Sequence, residues 1–349
     1  MGKVLSAVDA VMEVAAGRVR LAVARVLAPY AAGGVYVAED ADRAACWIVQ
    51  AEHLGLAGFG VDMLLRDLRR VESGSRPAVP AHTRPADIDP AGDSSFSGAI
   101  SDIDAAGIPG PLALAAAVRI AEAAVASHGI GLVGVRNVGA LGVLGLAARV
   151  LAERGRVALI SAQAPAMVAP WGGSAPAIGT NPIAFAAPRA GSAPLVADFA
   201  TSQITLAELR RLREAGEQLP DGVAIDAVGH PTSAPDEVAA LLPEGRLGSL
   251  AGLLVEVLAG AAAGGRAPAG TPVDGRGAVV IAIDPARAGG THVSEICAEI
   301  AKQWRAAGGH VPGRFDALES SHSEAPDTVI RLQQTDFDAL LARAGEAGA

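Results

Sequence analysis

The chain has 349 residues, 51% of them hydrophobic and 19% charged, with a formal net charge of −9. A mean hydropathy of +0.35 excludes a disordered chain, and a pI near 5.3 argues against a nucleic-acid partner. The most apolar segment, residues 250–264, carries Glu256, so no membrane partner is expected.

In chain order, residues 1–35 are weakly amphipathic and read as an extension or a helix. The spacing of Trp47, Ile48 and Ala51 predicts a helix over 40–54, ended by Gly55 and Gly58. A second helix is predicted over 61–71, with Met63, Leu64 and Leu68 inside and Arg66, Asp67, Arg69 and Arg70 outside. Residues 72–93 are rich in Pro, Ser and Asp and read as a loop. Further helices are predicted over 111–127, 141–154, 204–215, 293–307 and, as a buried one, 250–262. Strands are predicted over 130–136, 157–161, 183–187, 195–198, 277–284 and 327–332, and Thr335-x-x-Asp338 reads as a capping box for the last helix. Interleaved strands and helices make the class α/β or α+β, and the length suits two or three domains of about 100–200 residues.

Lysine occurs only at Lys3 and Lys302, so lysine chemistry has almost nowhere to sit. Cys46 and Cys297 make no disulfide framework and, with scattered histidines, no metal set, so no metal is expected. Asp9, Glu13 and Arg18 interrupt any secretory pattern, and a cytoplasmic location is expected.

No G-x-G-x-x-G dinucleotide fingerprint is present; the glycines around 131–145 have the wrong order. The informative stretch runs from Trp171 through Gly179-Thr180-Asn181-Pro182. It is a glycine-rich loop whose N–H groups suit a phosphate or carboxylate. It is followed by Asp198-Phe-Ala-Thr201-Ser202, where the hydroxyls either cap the next helix or hold an anion.

These two segments in this order resemble the type-2 malate/L-lactate dehydrogenase family, which reduces 2-oxo acids or cyclic imino acids with NADH or NADPH. Residues 129–137, ending in Arg136 and Asn137, residues 219–232, 242–245, 255–260, Ala282-Ile-Asp-Pro285 and Pro312-Gly313 extend the resemblance from about residue 40 to the end. It implies a non-Rossmann fold: a central, largely antiparallel sheet (76–285) beside a helical, dimerisation domain built from both ends (1–75 and 286–349). It further implies a homodimer, a small-molecule substrate and an NAD or NADP cofactor held near Gly179, Thr180, Asn181, Thr201, Ser202, Arg136 and Asn137. Arg136, Arg189 and Arg210 are candidates for a 2′-phosphate, although no motif places them.

The chain also departs from the family pattern. Where that pattern reads Ser-His-Gly-x-x-Arg, this sequence has Gly58, Phe59, Gly60 and Met63. Where it reads Ser-Asn-His-Phe-Gly, the histidine position holds Ala140. The resemblance therefore implies loss of the proton donor and of the substrate-carboxylate anchor, leaving Phe59, Met63, Ala140 and Arg66 around the substrate. A positioned acid contributes about 10²–10⁴-fold, and none of the replacements supplies one. Asp198 is the candidate donor, or else a carboxylate capping the following helix; His53 is a weaker candidate. Two functions remain open: a redirected oxidoreductase acting on an imine or unsaturated biosynthetic intermediate, or a non-redox protein on the same scaffold.

Overall fold

A computed structural model of the protein describes residues 10–74, 98–268, 275–318 and 328–346. The chain opens with β1 (Val11–Ala15) and helices α1 (Ala16–Leu27), α2 (Ala38–His53) and α3 (Val61–Ser73). Next come β2 (Ile100–Asp104), α4 (Gly110–His128), β3 (Ile130–Val138), α5 (Leu144–Glu153), β4 (Val157–Ala162), β5 (Ile183–Ala187), β6 (Leu195–Phe199) and α6 (Leu206–Ala215). A two-residue pair, β7 (Ala224–Ile225) and β8 (Ala240–Leu241), precedes α7 (Gly245–Val255), which runs on as a π-helical turn, Glu256–Ala262. Strand β9 (Arg276–Ile283), α8 (Val293–Ala306), β10 (Val329–Gln333) and α9 (Gln334–Arg343) complete the chain. The expected loop over 72–93 lies mostly outside the described residues.

Six strands form the central sheet in the order β2-β3-β9-β4-β5-β6, all neighbours antiparallel except β2 and β3. Its composition explains its thickness. Register aligns Ala278 with Ala162 and Ala282 with Ala158, and Ala158 in turn pairs with Ala186. This face is built of small, fully buried side chains. Helix α4, itself rich in buried alanines, can therefore approach closely: a Cβ on Gly131 would stand 2.1 Å from the Ala121 carbonyl oxygen. The π-turn covers the opposite face, where a Cβ on Gly277 would stand 1.7 Å from the Ala259 oxygen.

The two ends of the chain meet. β1 pairs antiparallel with β10, and α9 packs on α1 and α3, while α8 lies against β5. One core runs without a break from α1 and α2 through α4 to the sheet.

Two expectations are corrected. The helix over 250–262 is not buried: it starts at Gly245, and Leu247, Leu250, Leu253, Leu254 and Val257 are exposed. Apolar character there reflects a face left uncovered among the described residues. The last helix starts at Gln334 with no side-chain cap at Gln333, and Asp338 instead accepts from Gln334 Nε2. Two helices, Gly110–His128 and Gly245–Ala262, are long and apolar enough to cross a membrane by length and composition; the first is largely buried within the protein.

Candidate active site

The segment between β3 and α5 is a spine that touches each wall of the candidate site in turn. At Gly139 a Cβ would stand 1.8 Å from Asp67 Oδ1, and the next N–H, of Ala140, donates to that same oxygen at 3.3 Å. Gly142 has φ +88, and its missing Cβ would lie 3.4 Å from Met63 Cε and 3.5 Å from the Phe59 carbonyl oxygen. Gly145 N donates to Asp198 Oδ2 at 2.7 Å. The spine thus touches Met63 and the Phe59 carbonyl at Gly142 and Asp198 at Gly145. Phe59 and Ala140 are half-buried, and Met63 is 3% exposed.

Asp198 lies on the face of the sheet that α5 covers, paired in register with Ala184. It accepts at the first turn of α5, not of the helix that follows it in sequence, which corrects that expectation. Burial pushes its carboxyl up to about 6, against the opposing pull of the Gly145 N–H and Arg314.

A second acid was not singled out from sequence. Glu52, buried at the end of α2, accepts from Val61 N at 2.7 Å and so caps α3. Burial raises it to about 7, the Val61 N–H opposes, and the charge of Asp336 adds to the rise. Gly60 makes room for it: a Cβ there would stand 2.0 Å from Glu52 Oε1. The available signal was the absence of a side chain at Gly60 opposite an acid on an otherwise apolar face. Its neighbour His53 is exposed at the end of α2 and shares none of these contacts.

The glycine-rich motif is organised inward. Asn181, fully buried with φ +30, donates to Gly252 O at 3.1 Å and Glu256 Oε1 at 2.8 Å, and accepts from Ala164 N at 3.0 Å. Glu256 also accepts from Gln163 Nε2 at 2.5 Å and pairs with Arg266 at 2.6 Å. This network pins the Gly179–Asn181 corner to the π-turn, a feature frequent at functional sites. A Cβ on Gly179 would stand 2.3 Å from Ala164 O. Thr201 Oγ1 donates to Thr180 O at 3.2 Å and Ser202 Oγ to Ile204 O at 2.7 Å, whereas the cap of α6 is Thr205. These side chains shape the corner, and neither hydroxyl sits at a helix N-terminus.

What lies open is the backbone before it. Residues 171–177 are exposed, and nothing lies within 4 Å of where a Gly172 Cβ would stand. Arg136 is tied to Asp102 and Asp104, Asn137 (φ +56) donates to Asp104 at 2.8 Å, and Arg189 is paired with Asp316. Arg66 pairs with Asp62 and donates to Gly58 O at 3.3 Å. Among the described residues no group of three or more His, Cys, Asp or Glu is placed to hold a metal.

A family model for malate/L-lactate dehydrogenase matches residues 23–314. The chain belongs to that family. A Delta(1)-pyrroline-2-carboxylate/Delta(1)-piperideine-2-carboxylate reductase from Pseudomonas putida is 34% identical over 245 residues, 66% of this chain and 72% of that protein. A (2R)-3-sulfolactate dehydrogenase (NADP(+)) from Chromohalobacter salexigens is 32% identical over 309 residues, covering 83% and 89% respectively. The solved delta1-piperideine-2-carboxylate reductase from Pseudomonas syringae superposes with a TM-score of 0.76 at 27% identity, covering 95% of this chain and 99% of the other. A dehydrogenase from Sinorhizobium meliloti gives 0.76 at 26%, with 96% and 99% covered. Malate/L-lactate dehydrogenase family membership makes the fold the non-Rossmann one expected, with its central sheet mostly antiparallel, and places the chain among nicotinamide-dependent oxidoreductases.

Proposed function

We propose that this member is an NAD(P)H-dependent reductase of an imine or unsaturated biosynthetic intermediate, with an apolar pocket where the family pattern carries a histidine and an arginine. The observation that carries the reading is the spine of residues 139–145, which holds Ala140, touches Met63 and the Phe59 carbonyl at Gly142, and hydrogen-bonds a protonatable Asp198 at Gly145. Cyclic imine reductases among the relatives support the substrate class.

The cofactor would be held by the open backbone of residues 171–177, where Gly172 leaves room for a phosphate or a flat ring, beside the corner that Asn181 fixes. Bound there, the nicotinamide supplies the hydride. A protonated imine already carries the charge that a ketone must develop, so a single weak acid suffices. Asp198, raised toward neutrality by burial, holds a proton at Oδ1 or Oδ2 in slightly acidic conditions.

We further propose a homodimer formed through the exposed apolar face of α7 and its π-turn, in a cytoplasmic protein. Titration of the protein with NADH and NADPH by fluorescence tests the central reading. Saturable binding of one is expected; absence of binding for both overturns it in favour of a non-redox role.

A further inference from the structure

Arg66, Arg210 and Arg276 come from three elements, the first two beside the turn of residues 57–59 and the third beside the start of the spine. Arg66 lies one turn beyond Met63 on α3 and donates to Gly58 O. A Cβ on Gly58 would stand 2.9 Å from Ala207 Cβ, so the 57–59 turn rests on α6, and Arg210 is one turn further along that same face. Arg276 opens β9 opposite Val138, the residue before the spine.

Arg210 is electrostatically coupled to each of the other two. Arg276 senses Asp67, Arg70 and Arg210, and Arg66 senses Arg210. Burial, then like charge, lowers Arg66 to about 10; burial lowers Arg210 and Arg276. The neighbouring acids are mostly engaged: Asp62 by Arg66, and Asp67 by Arg70 Nε and by the N–H groups of Gly110 and Ala140. Glu214 is exposed one turn past Arg210, and Asp336 lies within reach of Arg66. Among the described residues, Arg210 and Arg276 make neither a hydrogen bond nor an ion pair, and Arg276 Nε is buried without a partner. A half-buried guanidinium whose Nε lacks a partner, set beside another cation, favours a ligand that satisfies both.

We infer that Arg66, Arg210 and Arg276 form a binding site for an oxyanion, a carboxylate or phosphate carried by the substrate. The inference rests on the reading that the adjoining apolar pocket holds that substrate. It makes the substrate amphiphilic, with an apolar body against Phe59 and Met63 and an anionic end gripped by planar forks suited to oxyanions.

Calorimetric titration of the full chain with inorganic phosphate, and separately with succinate, tests it. Saturable binding is expected, weakened at least fivefold in Arg210→Ser and in Arg276→Gln, partly retained in Arg276→Lys, and unchanged in Arg305→Ala on the exposed side of α8. Melting curves verify folding, and Arg210, half-buried on a helix surface, keeps the test alive if Arg276→Gln fails to fold. NADH and NADPH affinities are expected to stay within twofold in both variants. Equal anion affinity in wild type and variants overturns the site. Loss of NADPH affinity with NADH affinity intact assigns the anion to the cofactor's phosphate and overturns the substrate role. Anion binding lost in the variants of a protein that binds neither nucleotide upholds the site while the reductase reading fails.

Discussion

Asp198 Oδ2 takes the backbone N–H of Gly145 at 2.7 Å, so the acid at the end of β6 caps α5 across the sheet face. The same contact ties the candidate proton donor to the spine of the pocket. Asp198→Asn keeps an oxygen acceptor for that N–H and should cost little stability, whereas Asp198→Ala should lose about 1 kcal/mol. Turnover that needs the protonated acid should fall as pH rises through about 6, and that limb should vanish in Asp198→Asn with nucleotide affinity intact. A pH–rate profile unchanged by the substitution would remove Asp198 from the chemistry.

Glu52 predicts a pH-dependent stability. Its folded value of about 7 lies above the ordinary 4.5, so between those values the folded protein holds a proton that the unfolded chain has released. Stability must then fall as pH rises from about 4.5 to 7 and level off beyond, by up to about 3 kcal/mol from this group. Glu52→Gln retains an acceptor for Val61 N–H and should gain on wild type between pH 5 and pH 8, measured by urea midpoints. Parallel curves for the two proteins would refute this.

Met63→Arg tests whether the pocket can regain the charge that the family pattern carries there. Met63 is 3% exposed and stands one turn from Arg66. An arginine in that setting is a buried, unpaired cation, and a loss of about 3–5 kcal/mol is expected in chemical denaturation. A variant as stable as wild type, with new affinity for a 2-oxo acid, would show that the site is merely a mutated version of the ancestral one.

Asn181→Ala should be among the most damaging polar substitutions. It leaves Gly252 O and Ala164 N without their partner and removes one donor from Glu256, at about 1–3 kcal/mol for each buried group left unpaired. The melting temperature should drop and nucleotide affinity with it, because the corner at Gly179 loses its anchor to the π-turn. Retained NADH or NADPH affinity in a folded variant would place the cofactor elsewhere.

Leu250→Glu combined with Leu254→Glu should shift the protein toward monomer in light scattering without lowering its melting temperature, since both side chains are exposed on α7. An unchanged mass would exclude this face as the interface.

Much of the sheet was legible because its strands are short apolar runs bounded by glycine or proline, as at Gly277 and Pro182. Strand β2 was missed because Ile100-Ser-Asp-Ile-Asp104 offers only two apolar residues; it is held by parallel pairing with β3 rather than by its own pattern. The site divides in the same way. Asp198 stood out because a motif carried it, whereas its partner at Gly145 is a backbone group that no side-chain pattern reveals. Arg276 was invisible for a related reason. A charge at the mouth of an apolar strand reads as solvated, and only the register opposite Val138 sets it beside the start of the spine. Burial of the 250–262 helix was misjudged because apolar periodicity reports that a face wants cover, not which molecule provides it.

The pairing of β1 with β10 has a kinetic consequence. Glu13 meets Arg331, 318 residues away, within the same ribbon. During vectorial synthesis the first strand therefore leaves the ribosome long before its partner exists, and α1 to α3 must wait beside an open edge. Completion of the native state is thus gated by the last strand to emerge, and truncations before β10 should leave nascent chains that are substrates for chaperones.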